Sequence, residues 1–207
     1  MTALGLGTPS FGSRQEPWRV GAGAGRKRVI PLLALCSACT LLLTLQASSA
    51  EWTLEDKLKA AVLYNFAKFV EWPSEDFAND DKAPIVIGIL GADPFGPEFD
   101  KAMLEKTASG RKVVIKRYNN AKDARACHIL FIAPSENHRL PQILAAVKGT
   151  NILTVGEAPR FTALGGVIRL YLEEGQVRFE INLDAVKRTK LQVNAELLQL
   201  AKIVHDQ

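Results

Sequence analysis

The sequence predicts an α/β domain: a mainly parallel twisted sheet of about six strands, helices on both faces, and an antiparallel hairpin at one edge. Three observations carry this. Ala83 to Leu90 (APIVIGIL) and His128 to Ala133 (HILFIA) are nearly continuous apolar runs, as expected of strands buried on both faces. Strand and helix signals alternate through residue 155, the order that builds a parallel sheet. Val167 to Leu172 and Val177 to Ile181 then alternate around Glu173-Glu174-Gly175-Gln176, a hairpin signal.

The elements follow in order. Thr53 can cap a helix with Glu55 and Asp56 in its first turn, and Leu54, Leu58, Val62, Phe66, Phe69 and Val70 recur at helical steps up to Trp72-Pro73. Lys112 to Tyr118 (KVVIKRY) alternates and reads as a strand. Pro134-Ser135 starts an amphipathic stretch from Glu136 to Val147, and Ile152 to Val155 makes a short strand. Phe161 to Gly166 is a brief turn or helix, and Leu183 to Lys190 a link. Asn194 caps a final helix through Leu197, Leu198, Leu200, Ala201 and Val204.

Residues 1–50 differ in kind. Arg26, Lys27 and Arg28 precede a 17-residue apolar run, Val29 to Leu45, and then QASSA, with Ser48 and Ala50 suitably small for a cleavage site. The segment reads as a signal peptide cleaved after Ala50, leaving 51–207 as a single domain without stable membrane insertion. Retention as an anchor is the rival reading, at the bottom edge of spanning length. The segment holds five basic residues and one acid, so 21 of the 26 basic and 21 of the 22 acidic residues remain in the domain. The overall basic pI therefore gives no reason to expect a nucleic-acid partner. Cys36 and Cys39 leave with the segment, so Cys127 alone remains and no intrachain disulfide is possible.

Chemical motifs are sparse. Gly91 and Gly96 have P-loop spacing, but Pro97 and Glu98 stand where Lys and Ser or Thr are needed, and Asp93 adds another anion. Any ligand at this loop is expected to bring a polar or cationic group near Asp93 rather than a phosphate. Cys127 and His128 are adjacent, so on a strand they point to opposite faces and cannot share a proton. No spacing suggests zinc, no G-x-S-x-G is present, and no residue is assigned as catalytic, cofactor-binding or metal-binding. Phe66 and Phe69 continue the apolar stripe, whereas Tyr64 and Trp72 lie off or beyond it and are the candidates for a partner surface.

Several stretches together resemble the YfiR/HmsC-like family of periplasmic regulators: KAAVLYNFAKFVEWP (59–73), IGILGADPFG (87–96), ACHILFIAPSE (126–136), ILTVGE (152–157), GGVIRLYLEEGQVRFEINLDA (165–185) and LQVNAELLQLAKIV (191–204). The resemblance implies an exported domain in the periplasm of a Gram-negative bacterium. It would bind the periplasmic sensor part of an inner-membrane diguanylate cyclase, keep cyclic di-GMP low and restrain biofilm formation, as a homodimer and without a cofactor. Relatives carry paired cysteines that this chain lacks, which excludes intrachain redox control here. Two other classes stay open: a periplasmic small-molecule sensor using the loops at Asp93, Phe95 and Ser135, where open α/β sheets hold ligands, and a periplasmic enzyme.

Overall fold

The computed structural model describes residues 52–206; the signal-peptide reading of 1–50 lies outside them. Helix α1 (Leu54–Phe69) opens with the expected Thr53 cap, completed as a reciprocal capping box: Asp56 N–H donates to Thr53 Oγ1 (3.1 Å) and Thr53 N–H to Asp56 Oδ2 (3.2 Å). The helix stops at Phe69, and Val70–Glu71 (β1) pairs antiparallel with Gln192–Val193 (β9) as a separate ribbon.

The main sheet has eight strands: β2 (Ile85–Leu90), β3 (Thr107–Ala108), β4 (Arg111–Tyr118), β5 (Ile129–Ile132), β6 (Leu153–Gly156), β7 (Ile168–Glu173), β8 (Gln176–Asn182) and β10 (Lys202–Val204). Their spatial order is β10-β8-β7-β6-β5-β2-β4-β3, parallel except for the β7–β8 and β3–β4 pairs. The mixed α/β class holds, with two corrections. The strands exceed six, because β3 and β10 are too short to leave an alternating signal. The β7–β8 hairpin is also not at the edge. The expected terminal helix is only α5 (Ala195–Leu200), after which Ala201 turns extended and Lys202–Val204 pairs parallel with β8 outside it. The β-branched Ile203-Val204 pair favours that outcome over a further helical turn.

Alternation across the sheet divides the core. Ile85, Ile87, Ile89, Ile129, Phe131, Leu153 and Val155 face α1, α2 (Gly96–Met103) and α5. Val86, Leu90, Leu130 and Ile132 face α3 (Leu140–Val147) and the 3₁₀ turn Asp123–Ala126. Helices thus cover both faces. The expected 183–190 link contains a short helix, α4 (Leu183–Lys187), capped by Asn182. At the hairpin tip Glu174 and Gly175 both take positive φ (51° and 74°), the two-residue turn that matches strand twist. Phe161 is buried edgewise between two glycines: a Cβ built on Gly156 or on Gly166 would lie 2.2 Å from opposite edges of its ring.

Candidate functional site

The chain leaves β2 for β4 on one side and resumes at β5 on the other, so the C-terminal ends of β2 and β5 flank the point where open α/β sheets hold ligands. The Asp93 and Ser135 loops meet there. Asp93 Oδ1 accepts from Phe95 N–H (2.7 Å) and Oδ2 from Arg117 Nε (2.8 Å). Arg117 also donates to Asp100 (2.8 and 2.6 Å) and to the Gly96 carbonyl (2.9 Å). Hydrogen bonding to Asp100, and then to Asp93, holds the guanidinium pKa above its ordinary value against the opposing effect of burial. The cation beside Asp93 is therefore the chain's own.

The two loops are tightly joined. Ala92 N–H donates to Ser135 Oγ (3.0 Å), and Gly91, at φ +94°, has no room for a side chain: a Cβ there would lie 2.6 Å from both Ser135 Oγ and Glu136 Cγ. Glu136, itself buried, pairs with Arg139. Ser135 stays exposed, but Phe95 is 2% exposed and packs on Phe99 and Phe131 (centroids 5.0 and 5.1 Å), so its ring belongs to the core. The structure brings Asp93 and Ser135 to one crevice and fills it with Ser135 and Glu136.

A second polar cluster surrounds Trp72 at the opposite end of the strands. The half-buried indole donates to the Asn151 carbonyl (3.0 Å) and meets His128 edge-on (5.7 Å). His128 stacks on Phe77 (4.4 Å), and Phe77 carries the Arg111 guanidinium 3.8 Å from its centroid. Val86 N–H donates to His128 Nδ1 (3.0 Å), which assigns the ring proton to Nε2. Burial, reinforced by Arg111 and opposed by the Asp76 backbone, lowers the His128 pKa to about 4, so the ring is neutral. A polar cleft of about 310 Å³, lined in part by Trp72, Asp76, Arg125 and Asn151, adjoins it. Cys127 turns instead to the α3 face, beside Gly88, and burial pushes its thiol pKa up to about 12. That is a core thiol, not a nucleophile.

Tyr64 lies elsewhere, at the β3 margin. It is half-buried, donates to the Thr107 carbonyl (2.9 Å) and holds the Lys106 ammonium 5.8 Å from its ring centroid. The two aromatics are thus not one surface. A larger groove, about 750 Å³, runs between α3 and α4 with walls from Leu144, Val147, Ile152 and Val167 and an Arg188–Asp206 pair at its rim. No described helix is long and apolar enough to cross a membrane, and the described residues hold no group of three or more candidate metal-ligating side chains.

The domain from α1 to β10 coincides with a known family: residues 56–202 match the YfiR/HmsC-like family model. The chain belongs to the YfiR/HmsC-like family. Its members are tied to regulation of diguanylate cyclase signalling from the periplasm. A solved structure described as a conserved domain protein from Vibrio cholerae O1 biovar El Tor is also similar, at 13% identity and a TM-score of 0.40. The overlap covers 57% of this chain and 54% of that one, so this chain spans about half the length of that protein.

In this YfiR/HmsC-like domain, sequence reasoning missed Arg117 and the stack around His128. Arg117 had a readable signal. Val113, Ile115 and Arg117 share one face of β4, and a cation at core-facing parity needs an acid, which Asp93 and Asp100 supply. The stack had none, because the segment holding Trp72 and Phe77 is distant in sequence from both Arg111 and His128.

Proposed function

We propose that this YfiR/HmsC-like chain is a periplasmic repressor of an inner-membrane diguanylate cyclase. As a homodimer exported by residues 1–50, it holds the cyclase's periplasmic sensor domain and so lowers cyclic di-GMP and biofilm formation. The family match carries the reading, because it runs from the first turn of α1 to the start of β10. The physical mechanism is a population shift. A rigid module that binds the inactive arrangement of a membrane dimer more tightly than the active one favours the inactive one by that difference in affinity. Tyr64 and Trp72, each half-buried with a partly open ring, are the proposed contacts.

The experiment is capture of the chain by the periplasmic segment of an inner-membrane diguanylate cyclase from the same genome, together with cyclic di-GMP in a deletion strain. Binding and a raised level are expected; no binding and an unchanged level would sink the repressor. The 750 Å³ groove favours a second reading, a small-molecule sensor. In it the ligand lies in the groove between α3 and α4, whose walls do not include the Asp93 and Ser135 loops. Thermal shifts with a metabolite panel separate the two: stabilisation by a metabolite, with no capture by the cyclase, supports the sensor.

A further inference from the structure

The groove between α3 and α4, about 750 Å³, changes character along its length. One end is apolar. Phe161 shares a buried cluster with Leu140 and Leu144, which sets residues 161–164 beside the first turns of α3, so Pro141, Leu144, Ala163 and Leu164 line the groove together there. Leu164 is left 39% exposed. The other end is polar, lined by Lys148, Thr150, Arg188 and Asp206. Lys190 N–H donates to Asn151 Oδ1 (2.9 Å) and so ties the chain that follows α4 to the chain that follows α3 at this end. Buried Ile152 and Val167, where the chain enters β6 and β7, lie on the lining between the two ends.

Most polar groups at that end are spent within the chain. The Thr150 hydroxyl donates to the Val147 carbonyl (2.6 Å), the Thr189 hydroxyl to the Val186 carbonyl (2.7 Å), and Lys148 N–H to the Ala145 carbonyl (3.3 Å), so the last turn of α3 does not offer these carbonyls to the groove. Arg188 is paired with Asp206. Exposed Lys148 has no ion pair among the described residues, which leaves the polar end with one positive charge in excess. We propose that the groove binds an amphipathic monoanion, an alkyl carboxylate of medium chain length. Its carboxylate meets Lys148, and its chain runs past Ile152 and Val167 towards Leu144 and Leu164. The charges select this occupant. A dianion would bring its second charge up against Asp206, and a cationic head would be repelled by Lys148 with no free acid to receive it.

This names a ligand class for the groove and so rests on the sensor reading, not on the cyclase. The probe is decanoate, held below the concentration at which it forms micelles and titrated calorimetrically into the chain as recovered from cells. Binding is expected, with affinity rising from hexanoate through octanoate to decanoate by about two- to fourfold per methylene, the range between half and full burial. Acetate, which lacks the tail, and decyltrimethylammonium, which reverses the head, should not bind. Lys148→Glu should weaken decanoate about fivefold or more and Leu164→Asp about tenfold, both at exposed positions that leave the fold intact, whereas Lys116→Glu on β4 should change nothing. No binding of decanoate, an affinity that ignores chain length, equal binding of decyltrimethylammonium, or unchanged affinity in either groove variant overturns the inference. Should decanoate fail while a metabolite stabilises the parent but not Leu164→Asp, the ligand class is wrong and the sensor reading stands; if neither decanoate nor any metabolite binds, both fall.

Discussion

Lowering the pH from 7.5 to 5 should weaken the fold through His128. The ring is 5% exposed, and its Nδ1 already accepts the Val86 N–H at 3.0 Å. A second proton must enter at Nδ1, which would set two donors against each other and add a charge beside the Arg111–Phe77 stack. The folded pKa, about 4, lies below the reference value of 6.5. The contribution is therefore complete above pH 6.5 and is lost as the pH falls from there towards 4. Linkage gives a loss of about 2 kcal/mol by pH 5 and a ceiling of about 3 kcal/mol at lower pH. Urea unfolding at pH 7.5, 6 and 5 measures it. His128→Phe keeps a ring in the stack but strands the Val86 N–H, so it should cost about 1–3 kcal/mol at pH 7.5. Its further loss on going to pH 5 should be smaller than the parent's by about 2 kcal/mol. Equal pH slopes for the two proteins, or a His128 resonance that titrates near its ordinary value, would refute the reasoning.

Other outcomes follow from the same geometry. Arg117→Met should cost about 1 kcal/mol, since the pairs it breaks are partly exposed, and Asp93→Asn made in the same chain should recover part of the loss in a double-mutant cycle. Gly91→Ala should cost roughly 2 kcal/mol or more from positive φ and the 2.6 Å approach to Ser135 and Glu136. Gly110→Ala, also at positive φ but in open space, should cost only about 1 kcal/mol, so equal melting temperatures for the pair would contradict the crowding at Gly91. Phe161→Ala should lower stability by about 3–5 kcal/mol, read by chemical denaturation.

Legibility followed pattern length. The APIVIGIL run announced β2, whose six residues are all buried, and the Thr53 and Asn194 caps are legible to the residue. A two- or three-residue strand has no period to detect, so β3 and β10 became visible only through the partners they pair with. Lys202–Val204 was assigned to a helix because Leu197, Leu198, Leu200, Ala201 and Val204 satisfy helical spacing. Pairing with β8 overrode that local pattern. At the loops, Asp93 announced a carboxylate in a turn; its partner Arg117, 24 positions away, left only a one-sided mark, a cation at core-facing parity on β4 that needs an acid without naming which one.

The Phe161 wedge ties three positions into one heritable unit. Because its two ring edges fill the spaces that side chains at 156 and 166 would occupy, none of the three can change alone without a clash or a void. A lineage that acquires a methyl group at 156 or 166 is expected to carry a smaller residue at 161, and one that keeps the phenylalanine to keep both glycines. Across homologues the three columns should therefore drift together, although the glycines are ten residues apart.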